Sequence, residues 1–174
     1  IAAIAADVLH LYQRLAPGGV EVEAVVDPGC PRAIGEHTML HQVMANLCSN
    51  ACQAMAGRGG RIRISVRPAS QAAVQDAGLP PREYVEVSVS DQGHGMDEST
   101  RTRIFEPFFT TRPVGEGTGL GLSVVHGLVD SMGGAVLVES APNIGTTFRV
   151  FLRREPTASE PPRIDDQTIA RSSP

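Results

Sequence analysis

The chain has 174 residues, a formal net charge of -4, and 41% hydrophobic against 20% charged residues, the balance of one ordinary globular domain that can bury a sizeable core. A net negative charge offers no basic face to nucleic acid, and every apolar run is shorter than the roughly 18 to 20 residues a membrane helix needs, so neither nucleic-acid binding nor membrane contact is expected. Cys30, Cys48 and Cys52 are an odd set without the spacing of a disulfide framework, which points to a reducing, cytoplasmic setting. The first residues lack the layout of a signal peptide, and with no initial methionine the chain reads as a piece of something longer.

Ile1, Ile4, Val8, Leu11 and Leu15 recur at helical spacing until Pro17, Gly18 and Gly19 stop them, predicting a short amphipathic helix. Val20, Val22, Ala24 and Val26 then alternate with Glu21 and Glu23, as a half-buried strand requires. A longer helix is expected over residues 36–55, with Met39, Val43, Leu47, Ala51 and Ala54 as its apolar stripe and glycines at 57, 59 and 60 beyond its end. Two more strands are expected over 62–66 and 85–89, joined by a loop holding Pro68, Gly78, Pro80 and Pro81. Leu120, Val124, Leu128 and Met132 mark another helix, ended by Gly133 and Gly134, and residues 135–140 and 146–152 read as a closing hairpin. Five strands with interspersed helices predict an α/β two-layer sandwich, one mixed sheet with helices over one face. The segment from Glu155 onward, rich in proline, serine and charge, is expected to be disordered.

Three segments carry chemistry. Asn46 and Asn50 lie four apart on the second helix with Gln53 one turn on, so their amides share a face; amide oxygens suit a magnesium ion that takes its other oxygens from water and phosphates. Taken alone, such a pair reads as a solvated helix face. Asp91-Gln92-Gly93-His94-Gly95 follows a strand: a carboxylate there can accept from an exocyclic amine while neighbouring glycines let backbone approach a flat ring. By itself it is also the composition of a tight turn. The stretch 105–122 places Phe105, Phe108 and Phe109 before Thr110, Thr111 and Arg112, and then Gly115, Gly117, Gly119 and Gly121 at the start of a helix. Alternate glycines at a helix N-terminus expose backbone amides to a polyphosphate, the spacing is neither the dinucleotide fingerprint nor the P-loop, and three phenylalanines have no place in a plain linker. They are expected to latch a lid onto the domain.

Together these segments resemble the asparagine box, first glycine box, phenylalanine box and second glycine box of bacterial two-component histidine kinases, in that family's order and over about residues 20–152. The resemblance implies the Bergerat or GHKL ATP-binding fold with a mobile lid over ATP. It implies that Asn46 and Asn50 serve Mg2+ and phosphate, with Gln53 beside them. Asp91 would take the adenine amine, with Gly93, Gly95 and Met96 around it, and Arg112 the terminal phosphate. Phe105, Thr110, Thr111, Gly115, Gly117, Thr118, Gly119, Leu120, Gly121 and Leu122 would line the nucleotide, and Thr146 or Thr147 would bring a hydroxyl near the adenine. On the same resemblance, Asn46, Asn50 and Arg112 are the catalytic candidates and the activity is transfer of the γ-phosphoryl group to a histidine, for relay to a response regulator aspartate.

The hydrolytic branches of that superfamily carry a glutamate base four residues before the magnesium asparagine, where this chain has Asn46. A neutral amide cannot take a proton from water, which favours transfer to an imidazole over hydrolysis. The serine-directed anti-sigma kinases, with a shorter lid, and a non-catalytic nucleotide-binding module are the alternatives. No histidine here is followed by an acidic residue, so the acceptor is expected on a dimerisation domain outside the chain. Residues 1–17 are then a helix leading from that domain, 18–154 the catalytic domain and 155–174 a tail; the piece is expected to be monomeric and its parent a homodimer. His37 and His41, like Cys48 and Cys52, stand four apart, and core packing is the expectation for the cysteines rather than zinc.

Overall fold

The computed structural model describes residues 1–112 and 117–156. The elements in chain order are α1 (Ala2–Leu15), β1 (Val20–Val26), α2 (His37–Ala54), β2 (Gly60–Pro68), α3 (Gln71–Asp76), β3 (Tyr84–Asp91), α4 (Glu98–Arg101), α5 (Gly121–Ser131), β4 (Ala135–Ala141) and β5 (Gly145–Arg153). The strands form one sheet in the order β1-β2-β3-β5-β4. β1 runs parallel to β2 through the α2 crossover and every other pairing is antiparallel, the mixed five-stranded sheet that the alternating segments predict.

Side-chain alternation assigns the two faces. In register across the sheet, Ile64 stands beside Val89 and Val89 beside Phe148; one pair further, Val66 stands beside Val87 and Val87 beside Val150. These rows are buried under α1, α2 and α5 in one core that includes Leu47, Met55, Val125 and Val129. α1, expected as a linker, buries Ile4, Ala5, Val8 and Tyr12 in the same core, and the Tyr12 hydroxyl donates to the Ala45 carbonyl at 2.7 Å. The buried surface of α2 is wider than the expected stripe, taking in Leu40, Met44, Cys48 and Cys52, because α1 and α5 pack on the helix as well as the sheet. Burial with Cys52 nearby pushes the Cys48 thiol up to about 12, so Cys48 packs as a neutral apolar group.

The opposite face is polar apart from exposed Val25 and one corner. There α3, which falls in the segment read as a loop, sets Ala73 and Val74 against Tyr84 and Phe151 as a second small core. The Ser70 hydroxyl caps α3 by accepting from the Ala73 N–H at 3.2 Å, the ordinary N-cap role of serine. Next to that corner Glu86, 1% exposed, accepts from Arg67 Nη2 at 2.8 Å and from Arg149 Nη2 at 2.9 Å. No helix among the described residues is long and apolar enough to cross a membrane.

Candidate functional site

The rows of the helix-covered core end in polar side chains at one edge. Asp91 has the parity of Val85, Val87 and Val89, and Thr146 lies opposite it in register, so the alternation that builds the core carries a carboxylate and a hydroxyl to its rim. They open on a pocket of about 610 Å³ bounded by α2, the start of α5, and the loop residues around 94–112 and 117–119, a volume in the range of cofactor sites.

At the inner end Asp91 is 7% exposed. Its Oδ1 accepts from the Gly93 N–H at 2.8 Å. Burial pushes the carboxyl above its ordinary value, against the pull of the Gly93 and Thr146 backbone N–H groups and of His94. Among the described residues no arginine is paired with it, so its remaining acceptor capacity suits a neutral donor such as an exocyclic amine. Ile104, Phe148 and Met96 supply apolar walls, as a flat ring needs. His94 Nδ1 donates to the Gly95 carbonyl at 2.7 Å, and Gly95 turns with φ 62° where a Cβ would run into the Ala141 carbonyl.

At the outer end α2 presents Asn46, Ser49, Asn50 and Gln53 to the pocket. The Asn50 Nδ2 is buried without a hydrogen-bond partner among the described residues, a costly condition for an amide donor unless a ligand relieves it. Facing it, α5 begins with no side-chain cap from Leu120, so first-turn N–H groups and the positive end of the helix dipole meet the cavity. Gly119, at φ 63°, lies so close to the Phe108 backbone that a side chain there would overlap it. Bare N–H groups and an orphaned amide fit the anionic oxygens of a polyphosphate. Asn46 and Asn50 also offer the few neutral oxygens that suffice for a magnesium ion held chiefly by water and phosphate.

The phenylalanines do different things. Phe105 packs against His126 with ring centroids 5.1 Å apart, and Phe109 lies under the Arg103 guanidinium at 4.3 Å, so the latch at the base of the loop is partly a cation–π contact. Phe108, expected in the same latch, instead adopts φ 65° and is 74% exposed. Its N–H donates to the Gly119 carbonyl at 2.9 Å, and that approach turns the side chain outward.

Of the residues singled out from the sequence, the pocket brings together Asn46, Asn50, Gln53, Asp91, Met96, Thr110, Thr111, Arg112, Gly117, Thr118, Gly119, Gly121, Leu122 and Thr146. Gly93, Gly95, Phe105 and Leu120 support its walls without lining it. Gly115, with residues 113, 114 and 116, lies outside the described residues, as does all of the expected 155–174 tail beyond residue 156. Thr147 is not at the pocket: one residue on from Thr146, it faces the other side of the sheet, its hydroxyl 2.9 Å from that of Ser90. Ser49, His94, Thr100, Ile104, Phe109 and Phe148 line the pocket as well. Phe148 shares the parity of Thr146 and Ser49 the helix face of Asn46, so both were within reach of the periodicity; Thr100 and Ile104 carry no such signal.

Residues 35–156 match the family model described as histidine kinase-, DNA gyrase B- and HSP90-like ATPase. Over 175 aligned residues the chain is 39% identical to the sensor kinase CckA of Brucella abortus (strain 2308), covering 96% of this chain and 18% of that protein. It is 34% identical over 142 residues to the sensor histidine kinase ZraS of Escherichia coli (strain K12), covering 82% and 27%. The chain thus spans less than a third of the length of these curated relatives. Among solved structures, full-length ShkA in complex with AMPPNP superposes with a TM-score of 0.71 at 28% identity, over 90% of this chain and 30% of that one. The nucleotide-free catalytic domain of the histidine kinase ThkA gives 0.70 at 28%, over 88% and 92%. The chain therefore belongs to the histidine kinase-, DNA gyrase B- and HSP90-like ATPase family, and within it to the catalytic ATP-binding domains of sensor histidine kinases.

Proposed function

We propose that this domain binds ATP with Mg2+ in the pocket and directs its γ-phosphoryl group onto a histidine of a dimerisation domain in the parent protein, for relay to a response regulator. The observation that carries the proposal is the buried Asn50 amide, without a partner among the described residues, facing the uncapped start of α5, with the Asp91 carboxylate at the other end of the same pocket. Asp91 accepts from the adenine amine, and Met96, Ile104 and Phe148 exclude water from the ring. Asn50 donates to a phosphate oxygen, and the backbone amides at Gly119 and Gly121 receive the negative charge that accumulates during transfer. Asn46 and Asn50 would hold the magnesium ion, which when bound neutralises phosphate charge and orients the leaving oxygen. Arg112, at the pocket mouth, stabilises the transferring group.

The chemistry asked of the protein is small. A neutral imidazole nitrogen attacks phosphorus, an N–P bond forms as the bond to the bridging oxygen breaks, and ADP leaves. No residue has to remove a proton from water, which agrees with Asn46 standing where a hydrolytic enzyme needs a carboxylate. The test is Asn50→Ala with a supplied acceptor hairpin. Phosphorylation should fall at least about a hundredfold, the scale of removing one group that stabilises transition-state charge, while adenosine binding by calorimetry changes little. Normal phosphorylation by the variant would overturn the assignment, and parallel loss of adenosine binding would mean that Asn50 supports the fold rather than the phosphates.

A further inference from the structure

The Ser140 side chain does not line the pocket, yet three polar groups behind the pocket wall converge on it. Its Oγ accepts the Met96 backbone N–H at 2.8 Å, lies 3.1 Å from the Gly145 carbonyl oxygen and stands 2.9 Å from Thr146 Oγ1. A hydroxyl has one hydrogen to give and two lone pairs to offer. The Gly145 carbonyl can only accept, so it takes the Ser140 hydrogen. Met96 occupies one lone pair of Ser140, and the other faces Thr146, which must then donate its own hydrogen to Ser140.

That count fixes the character of Thr146. With its hydrogen committed to Ser140, Thr146 Oγ1 can only accept on its pocket side. The residue opposite it in register is Asp91, also acceptor-only when ionised, and both line the inner end of the pocket at 6% and 7% exposure. Rearrangement is hindered, because the backbone around Ser140 is interlocked. Gly95 is pressed against the Ala141 carbonyl, and the Asn143 N–H donates to the His94 carbonyl at 2.7 Å.

We infer that Ser140 is a positioning residue for base selection: by orienting the Thr146 hydroxyl, it makes the inner end of the pocket a pair of acceptors that receives the two hydrogens of an exocyclic amine and rejects a ring carbonyl at the same place. The inference rests on the reading of this pocket as an adenine nucleotide site. Acceptor facing acceptor leaves a keto oxygen unpaired and desolvated, and this is the kind of mismatch from which polar sites draw their selectivity.

The experiment compares ATP with inosine triphosphate, whose base carries a carbonyl in place of the amine, by calorimetry with Mg2+ on the whole chain. In Ser140→Ala the Thr146 hydroxyl is released to donate, so the ATP-to-ITP affinity ratio should shrink about tenfold, equivalent to one neutral hydrogen bond. Ser140→Thr, which keeps the oxygen, should restore the ratio. Thr146→Val, which keeps the shape and removes the hydroxyl, should shrink the ratio by a similar factor, and it remains decisive should Ser140→Ala not fold. Loss of affinity for both nucleotides by one common factor in these variants would overturn the inference and leave Ser140 a purely structural group. A wild-type protein that binds neither nucleotide would sink the nucleotide reading together with it, whereas wild-type binding of ATP with an unaltered ratio in the variants would sink this inference alone.

Discussion

Two carboxylates are buried on the central strand β3, and the sheet holds them in opposite ways. Glu86, on the polar face, is pushed up by its burial, but the hydrogen bonds and charges of Arg149 and Arg67 outweigh this and hold it below its ordinary value. Asp91, five residues on and of the other parity, has only two backbone N–H groups and a nearby histidine against its burial, and stays above its ordinary value. One charge is neutralised by arginines within the fold and the other is met there only by neutral N–H groups and a histidine. A buried acid with a cationic partner contributes to folding, whereas one with neutral partners costs folding energy and points to recognition.

The largest break in this contrast should come from Glu86→Ala, which removes the carboxylate shared by Arg67 and Arg149 and leaves Arg149 with the Glu139 carboxylate, at 3.3 Å. Urea unfolding should show a loss of about 2 to 3 kcal/mol, below the figure for a fully buried pair because Arg67 is mostly solvated. The same measurement on Asp91→Asn should stay within about 1 kcal/mol of wild type, since the side-chain oxygen still accepts from Gly93 while the disfavoured charge is gone. A larger loss at Asp91 than at Glu86 would reverse the comparison.

Nucleotide affinity should respond the other way round. Asp91→Ala should weaken ATP binding by about 1 to 3 kcal/mol, the cost of leaving the amine unpaired, and Glu86→Ala should leave the affinity of the folded fraction unchanged. Calorimetry showing equal effects of the two variants would remove the distinction between them.

Acid sharpens the same difference. Because its folded value is depressed, Glu86 contributes stability that is present above the unfolded glutamate value of about 4.3 and lost only as pH falls through that lower folded value. Asp91 has a raised folded value: its stability contribution is present below about 3.9 and lost as pH rises through the raised value. On the proposed contact between ionised Asp91 and the adenine amine, ATP affinity should begin to fall on acidification while the fold still stands. Affinity and unfolding followed together across the acid range check this, and simultaneous loss of both would contradict it.

The smallest expected effect is at the loop base, where Arg103→Ala removes the cation over Phe109 and should cost about 0.5 to 1 kcal/mol. Hydrogen exchange at the described residues on either side of the glycine loop, 108–112 and 117–121, should show more protection with ATP than with ADP. Equal protection with both would argue against contact with the terminal phosphate.

How far the sequence reveals this contrast depends on the length scale of the signal. Strand alternation predicts the first three strands, a closing hairpin the last two, and the alternation followed one step past Val89 puts Asp91 on the core side. The same parity rule separates Thr146 from Thr147, which the motif alone leaves as alternatives. α3 escapes because six residues cannot display a period of 3.6, and its burial depends on Tyr84 and Phe151 arriving from distant strands. The outward turn of Phe108 and the orphaned Asn50 amide escape for the same reason: each is set by a contact across the pocket, Phe108 with Gly119 and Asn50 with the start of α5, that no local pattern encodes.

The bond from the Phe108 N–H to the Gly119 carbonyl joins the two ends of the glycine-rich loop. Once a loop's ends are joined, the entropy of adding residues between them grows only logarithmically, about 0.6 kcal/mol for each doubling of length. Residues inserted between those ends would therefore cost the fold little and leave the aim of the amides at Gly119 and Gly121 unchanged. A clamp of this kind uncouples the aim of those amides from the length of the chain that joins the two ends.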